Sequence, residues 1–553
     1  MPVDIETATQ DPIEAGRDAL ARGAWEQARG FFEAAVSQAE SPVALEGLSW
    51  AAWWCNDTKL VFEARERAYR LYRAQDDQRG AARMATWLGT DYVDFYGELA
   101  VGWGWLRRAR RLLDDLEPGP EHGWLFVHEA EKHLFAHETG RARELGTRAT
   151  KLGRRLGLVD LEMMGLAAEG LALVTEGEIT PGMSRLDEAT AAALGEDFPE
   201  ILPIGWCWCY MIHACELVRD YDRAAQWCRR LEEWSARMRV EFLNRSCRAT
   251  YAGILVLRGT WEKAEQELKE CADRLAVIRP LAVADATVRL GELRRRQGRL
   301  GEAAEIFEQT AEHPLALLGL AEVCLDQGDA ARARDRAEQY LREAPSHAVT
   351  LRSAGLELLV RAQAALGEQL PATAALEELE GVARLVATAP LRASACFAAG
   401  ILASATGDSD RARTAFEDAT RLFQRSGAPF EAARARIELA RALAELSRDS
   451  DAVREVRAAA TSLRRIGAAA EASRADALTL EFQRGPSRED SPLTRRECEV
   501  LRLVADGHSD RAVAMHLVLS EHTVHRHVAN ILTKLDCASR SAAVAEALRR
   551  GLI

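Results

Sequence analysis

The residues best suited to chemistry lie near the carboxyl end of the 553-residue chain, in the run SEHTVHRHVANILTKL, residues 520–535. At about 100° per residue on a helical wheel, Val524, Val528, Ile531 and Leu535 share one face, with Leu532 at its margin. The opposite face collects His522, Arg526, Ala529 and Thr533, flanked by His525 and Asn530. All but Ala529 can donate hydrogen bonds, and none is an acid. That chemistry suits the reading of base edges in a DNA groove, where surrounding phosphates exclude carboxylates. A surface helix of an ordinary domain more often carries Glu and Lys there. The imidazoles of His522, His525 and His527 add a pH term, since histidine gains charge only near ~6.5 and below. Tighter DNA binding at pH 6 than at pH 8 is expected.

Other chemistry-bearing clusters point elsewhere or nowhere. Cys207, Cys209, Cys215, Cys228, Cys247 and Cys271, with His213, form the densest cysteine region. A thiol redox or metal sensor is one reading. Without a paired C-x-x-C knuckle, cysteines of this kind more often act as small buried hydrophobes, and reduced thiols are the default. His128, Glu129, His133 and His137 lack the H-E-x-x-H spacing of a zinc protease helix. All 13 tryptophans precede residue 262, including Trp50, Trp53, Trp54, Trp103, Trp105, Trp206 and Trp208. They either fill repeat cores or line a ligand cavity or peptide groove. No G-x-x-x-x-G-K-[ST] phosphate loop, β/α receiver pattern or Ser/His/Asp arrangement occurs. No catalytic residue, metal ligand or cofactor is therefore expected.

Short helices must position the 520–535 run. Thr494-Arg-Arg-Glu497 is a capping box, in which the threonine hydroxyl and the glutamate satisfy each other's backbone donors. Val500, Leu501, Leu503 and Val504 give that helix its buried stripe, and Gly507 ends it. Ser509 caps a second helix buried by Val513, Ala514 and Leu517, and Ser520 caps the third. A fourth runs from Ser541 to Arg550.

The 61 residues from Leu493 to Ile553 resemble the LuxR/NarL-type helix-turn-helix family throughout. The family's LT-x-R-E-x-E-V-L is present as Leu493, Thr494, Arg496, Glu497, Glu499, Val500 and Leu501. Its S-x-x-T-V-K-x-H appears as Ser520, Thr523, Val524, His525 and His527. Ile531, Lys534, Leu535, Arg540, Ala543, Val544, Ala547, Gly551 and Leu552 complete the pattern. The resemblance implies that Ser520 opens the recognition helix and that His525, Arg526 and Ala529 face bases. Thr523, Asn530 and Lys534 would lie near phosphates. The last helix would form a homodimer through Ala543, Val544 and Ala547, set on two half-sites about one helical turn apart. Three positions depart from the family: Asp510 replaces Asn, Ala512 replaces Glu, and His525 replaces Lys. An aspartate beside the groove would repel phosphate, and Ala512 removes a capping partner from Ser509.

A different pattern fills the rest of the chain. A turn residue is followed by a small or apolar residue five positions on and an apolar one nine on. Gly23/Ala28/Phe32, Gly259/Ala264/Leu268, Gly298/Ala303/Phe307, Gly328/Ala333/Ala337 and Gly407/Ala412/Phe416 are the clear copies. Weaker ones start at Asn56, Gly97, Gly140, Gly177, Arg219 and Gly367. Starts 30 to 43 residues apart denote one helix–turn–helix unit per repeat. The array, roughly residues 10–480, resembles tetratricopeptide-like repeats with longer helices. Alternating strand patterns are missing, so an all-α fold is expected: a tetratricopeptide-like solenoid over 1–483, a Pro- and Gly-containing linker over 484–492, and the helix-turn-helix domain over 493–553.

Charge agrees with this division. From Ser491 onward nine Lys+Arg face seven Asp+Glu, whereas the whole chain carries −13. The body therefore carries −15 and repels a polyanion that the tail tolerates. The longest uncharged apolar stretches have 15 residues, short of the ~20 that cross a bilayer. With no signal-peptide pattern, a cytoplasmic, non-membrane protein is expected. The sequence thus describes a transcriptional regulator, not an enzyme: it is expected to bind double-stranded DNA as a homodimer, while the array senses an unknown ligand or protein partner. The alternative is a repeat-based interaction scaffold whose helix-turn-helix binds protein.

Overall fold

The computed structural model describes residues 11–194, 202–238, 241–275, 280–484, 493–517, 519–550 and 552–553. Every regular element among them is an α-helix, 29 in all. The array is built of helical hairpins, from Pro12–Ala21 with Trp25–Gln38 to Pro429–Glu445 with Asp449–Ile466, and ends on the helix Ala469–Arg484. It is a tetratricopeptide-like α-solenoid followed by a four-helix module. The expected linker, 484–492, lies outside the described residues except for Arg484, which closes the last helix of the array.

Each hairpin reverses on a residue with left-handed backbone: Gly23, Asn56, Gly97, His137, Gly177, Arg219, Gly259, Gly298, Gly328, Gly367, Gly407 and Ser447. Five positions beyond each stands a buried Gly, Val or Ala, from Ala28 to Ala452, where the two helices approach most closely. The sequence pattern located these turns with one correction and one omission. Gly140 lies inside the helix Thr139–Leu156, and the turn residue is His137 at φ 57°. Ser447, at φ 59°, had no glycine to mark it. Aspartate caps recur after the turns: Asp57, Asp329 and Asp408 each accept from the backbone three residues on, at 3.1 Å.

The position nine beyond the turn packs Phe32, Leu106, Phe307 and Phe416 into the core, each 1% exposed or less. The second hairpin instead places Arg65 there, fully buried.

Several first helices of the hairpins are buried on most of their faces. Val159–Glu176 buries side chains from Leu161 to Thr175 on every face. One continuous apolar cluster extends from Leu45 to Leu478, and the C-terminal module has a separate one. The solenoid also winds back on itself. Thr350 Oγ1 donates to the Thr175 carbonyl at 3.4 Å, and Thr388 Oγ1 donates to that of Val218 at 2.7 Å. His347 Nε2 lies 3.0 Å from the His137 carbonyl. These pairs are 170 to 210 residues apart, so later hairpins seat on the turns of earlier ones.

Ion pairs join the first helices of different hairpins. Arg361 meets Glu322 at 2.7 Å, Arg295 meets Asp326 at 2.7 Å, and Arg296 meets Glu431 at 2.7 Å. Burial pushes the Glu292 carboxyl up, but Arg295 and Arg296 outweigh it and hold it down at about 2. No helix among the described residues is long and apolar enough to cross a membrane.

Candidate nucleic-acid interface

The module's four helices are Arg495–Ala505, Asp510–Leu517, Glu521–Lys534 and Arg540–Arg549. Their starts follow the local caps in the sequence. Thr494 Oγ1 accepts from the Glu497 amide at 3.3 Å, and Glu497 Oε2 accepts from the Thr494 amide at 2.7 Å. Ser509 Oγ accepts from the Ala512 amide at 3.3 Å, so this cap forms without the family's glutamate. Ser520 Oγ accepts from the Thr523 amide at 3.1 Å and pairs with Thr523 Oγ1 at 2.7 Å.

The third helix turns Val524, Val528, Ile531 and Leu535 into the core with Val500, Leu501 and Val513. His522, His525, Arg526, Ala529, Asn530 and Thr533 are exposed, while Thr523 and His527 are half-buried. These exposed groups are not equivalent. The Thr533 hydroxyl donates back to the Ala529 carbonyl at 3.0 Å, and Ser520 and Thr523 are engaged in the cap. His525 Nδ1 lies 3.5 Å from Asp510 Oδ2. Arg526 has no ion-pair partner among the described residues, so its guanidinium is free to meet an anion or a base edge.

Three cross-module contacts were not visible in the sequence. The Lys534 ammonium lies 2.6 Å from Glu497 Oε2, which is buried, so this cation joins the third helix to the first. Burial pushes the Glu497 carboxyl up, yet Lys534 and the two Thr494 donors hold it below the ordinary carboxylate range. Arg496 donates to the Leu517 carbonyl at 2.6 Å and tethers the second helix. Asp510 pairs with Arg540 at 2.8 Å, so its charge is compensated within the module. Several residues that match the family pattern thus act first as internal ties.

The last helix differs from expectation in its packing. Ala543 and Ala547 are buried in the module's own core, and Val544 packs against it half-buried. The outward face of this helix is Ser541, Ala545 and Leu548, the last 60% exposed.

The histidine and cysteine clusters of the array are largely committed elsewhere. His128 is enclosed by the rings of Trp87, Trp124 and Trp206. His133 Nδ1 lies 2.5 Å from Glu138 Oε2. Among the described residues no three His, Cys, Asp or Glu side chains gather as a metal-binding group. Burial pushes the thiols of Cys207, Cys215 and Cys228 well up, which suits packing rather than reactivity. Cys209 is disulfide-bonded, which corrects the expectation of reduced thiols throughout.

Comparison with known proteins agrees with this geometry. Residues 491–547 match the family described as "Bacterial regulatory proteins, luxR family". Over 71 residues the chain is 41% identical to the spore germination protein GerE of Bacillus subtilis, covering 13% of this chain and 89% of GerE. It is 49% identical over 61 residues to the transcriptional regulatory protein DegU of Brevibacillus brevis, covering 11% of this chain and 26% of DegU. The chain therefore belongs to the luxR family of bacterial regulatory proteins. The shared part is the C-terminal module, and it spans about a quarter of DegU's length. A solved Rap protein complexed with Competence and Sporulation Factor aligns with 63% of this chain and 98% of its own, at 12% identity and a TM-score of 0.46.

Proposed function

We propose that this chain is a transcriptional regulator that binds a specific DNA sequence through the helix Glu521–Lys534. Residues 1–483 form the sensing array, 484–492 the linker and 493–553 the DNA-binding domain. Arg526 carries the reading: its guanidinium has no ion pair among the described residues and stands at the centre of an exposed face whose opposite side is the module's core. His525, Arg526 and Ala529 then contact base edges, and Asn530 lies toward the phosphates. Thr523 and Ser520 hold the helix start. Lys534 is committed to Glu497 and fixes the helix orientation. A second copy binds the adjoining half-site through the outward face of the last helix, with Leu548 at its centre. The array responds to a ligand or protein partner.

Selection of binding sites from random duplex DNA with the full chain supplies the operator. On that operator Arg526→Ala should weaken binding by about 1–3 kcal/mol. The log–log salt slope should fall by roughly 0.9 for each phosphate neutralised. Failure to enrich any sequence, with a flat salt response, would favour the protein-binding scaffold.

A further inference from the structure

The second hairpin breaks the repeat rule at Arg65, and the break lies behind a cavity. Arg65 Nη1 pairs with Asp91 Oδ2 at 2.5 Å, with side-chain exposures of 0% and 1%. Its guanidinium sits 4.8 Å from the centroid of the Trp50 ring and 5.3 Å from that of Trp87. An ion pair this deep carries a desolvation cost that the Phe and Leu of other hairpins avoid.

Trp50 and Trp87 meet edge to face at 4.6 Å. With Trp124 they wall a cavity of about 430 Å³ on the inner side of the first hairpins, within the ~300–1,000 Å³ range of small-molecule sites. Phe32 also lines it and packs closely on Gly47, where a Cβ would stand 2.2 Å from the ring.

The charges around the cavity are unevenly compensated. Arg83 bonds Glu46 at 2.6 and 2.8 Å and Glu121 at 3.3 Å. Arg79 adds a 3.0 Å bond to Glu121, and the Tyr72 hydroxyl donates to Glu46 at 2.7 Å. Both carboxylates are thereby neutralised. Arg17, exposed on the lining, has no ion pair among the described residues. The buried Arg65 guanidinium also draws on the negative faces of Trp50 and Trp87, leaving them poor hosts for a second cation and good ones for an electron-rich ring.

We propose that this cavity binds a small planar aromatic carboxylate, its ring against the wall formed by Trp50, Trp87 and Trp124 and its carboxylate on Arg17. This names a ligand class for the sensing array and rests on that part of the function proposed above. The test needs no DNA, so its outcome is separate from that of the DNA-binding reading.

The intact chain is titrated calorimetrically with 2-naphthoate, 2-naphthylmethanol and 2-naphthylmethylammonium. Naphthoate should bind about five- to tenfold more tightly than the alcohol, and the ammonium most weakly. Arg17→Ala should erase the preference for naphthoate while leaving the alcohol's binding unchanged, and Arg17→Glu should invert it. Val43→Trp, which fills the cavity from a half-buried position, should abolish binding of all three. Equal binding of the three probes, no binding of any, or naphthoate binding indifferent to the Arg17 variants would overturn the proposal. The Arg17 variants alter an exposed side chain, so they remain decisive even if Val43→Trp fails to fold.

Discussion

Arg526 and Lys534 stand about two turns apart on one helix, and their neighbours give them different work. Arg526 faces outward without a carboxylate partner among the described residues, whereas Lys534 reaches 2.6 Å to a buried carboxylate 37 residues earlier. Lys534→Met would leave Glu497 with only its Thr494 donors, a loss expected to destabilise the module by about 1–3 kcal/mol. The effect depends on pH. Lys534 helps hold the folded Glu497 carboxyl below its ordinary value, so the stabilisation is present above the unfolded value and is lost as pH falls through the folded one. The wild-type advantage should therefore be full at neutral pH and shrink in acid, below about 4.3. Hydrogen exchange of peptides from Arg495–Ala505, compared between the two chains at each pH, measures it. An advantage unchanged across that range would show that the pair contributes nothing through charge.

At the scale of the helix, what was legible in the sequence was local. Thr494 with Glu497, Ser509 and Ser520 announced helix starts because a cap is completed within three residues. The buried stripe of Glu521–Lys534 was readable for the same reason, since periodicity alone sets which side faces the core. Contacts between helices left no local mark: Lys534 with Glu497 and Asp510 with Arg540 depend on how four helices meet. Ala543 and Ala547 show the same limit, because their small size fits an internal contact as well as a contact with another copy. In the array, glycine disclosed most hairpin turns, but His137 and Ser447 adopt the same left-handed backbone without glycine's freedom. Ser447 is exposed, and L-residues pay roughly 1–2 kcal/mol in that conformation. Part of that gain is offset by glycine's larger entropy when unfolded. Ser447→Gly should therefore stabilise the array by about 0.5–1 kcal/mol, seen as a higher denaturation midpoint. An unchanged or lower midpoint would mean that serine carries no strain there.

Across the whole molecule, the winding of the solenoid makes distant repeats neighbours. A linear repeat array transmits stability only to adjacent units, whereas here bonds join residues about 170 positions apart. Thr388 isolates this effect. It occupies the N-cap of the helix Ala389–Ala405, yet its hydroxyl makes no cap bond. The hydroxyl donates instead to the Val218 carbonyl, just past the helix Leu202–Leu217. Thr388→Ala thus removes a contact between coils and leaves local capping untouched, at a cost of about 1 kcal/mol. Native-state hydrogen exchange should show faster opening in both Leu202–Leu217 and Ala389–Ala405, although the substitution lies in only one of them. Loss of protection confined to Ala389–Ala405 would mean that the two coils touch without sharing stability. Paired loss would show that the two coils share stability, the coupling that the ligand proposed for the first hairpins needs if it is to act on distant repeats.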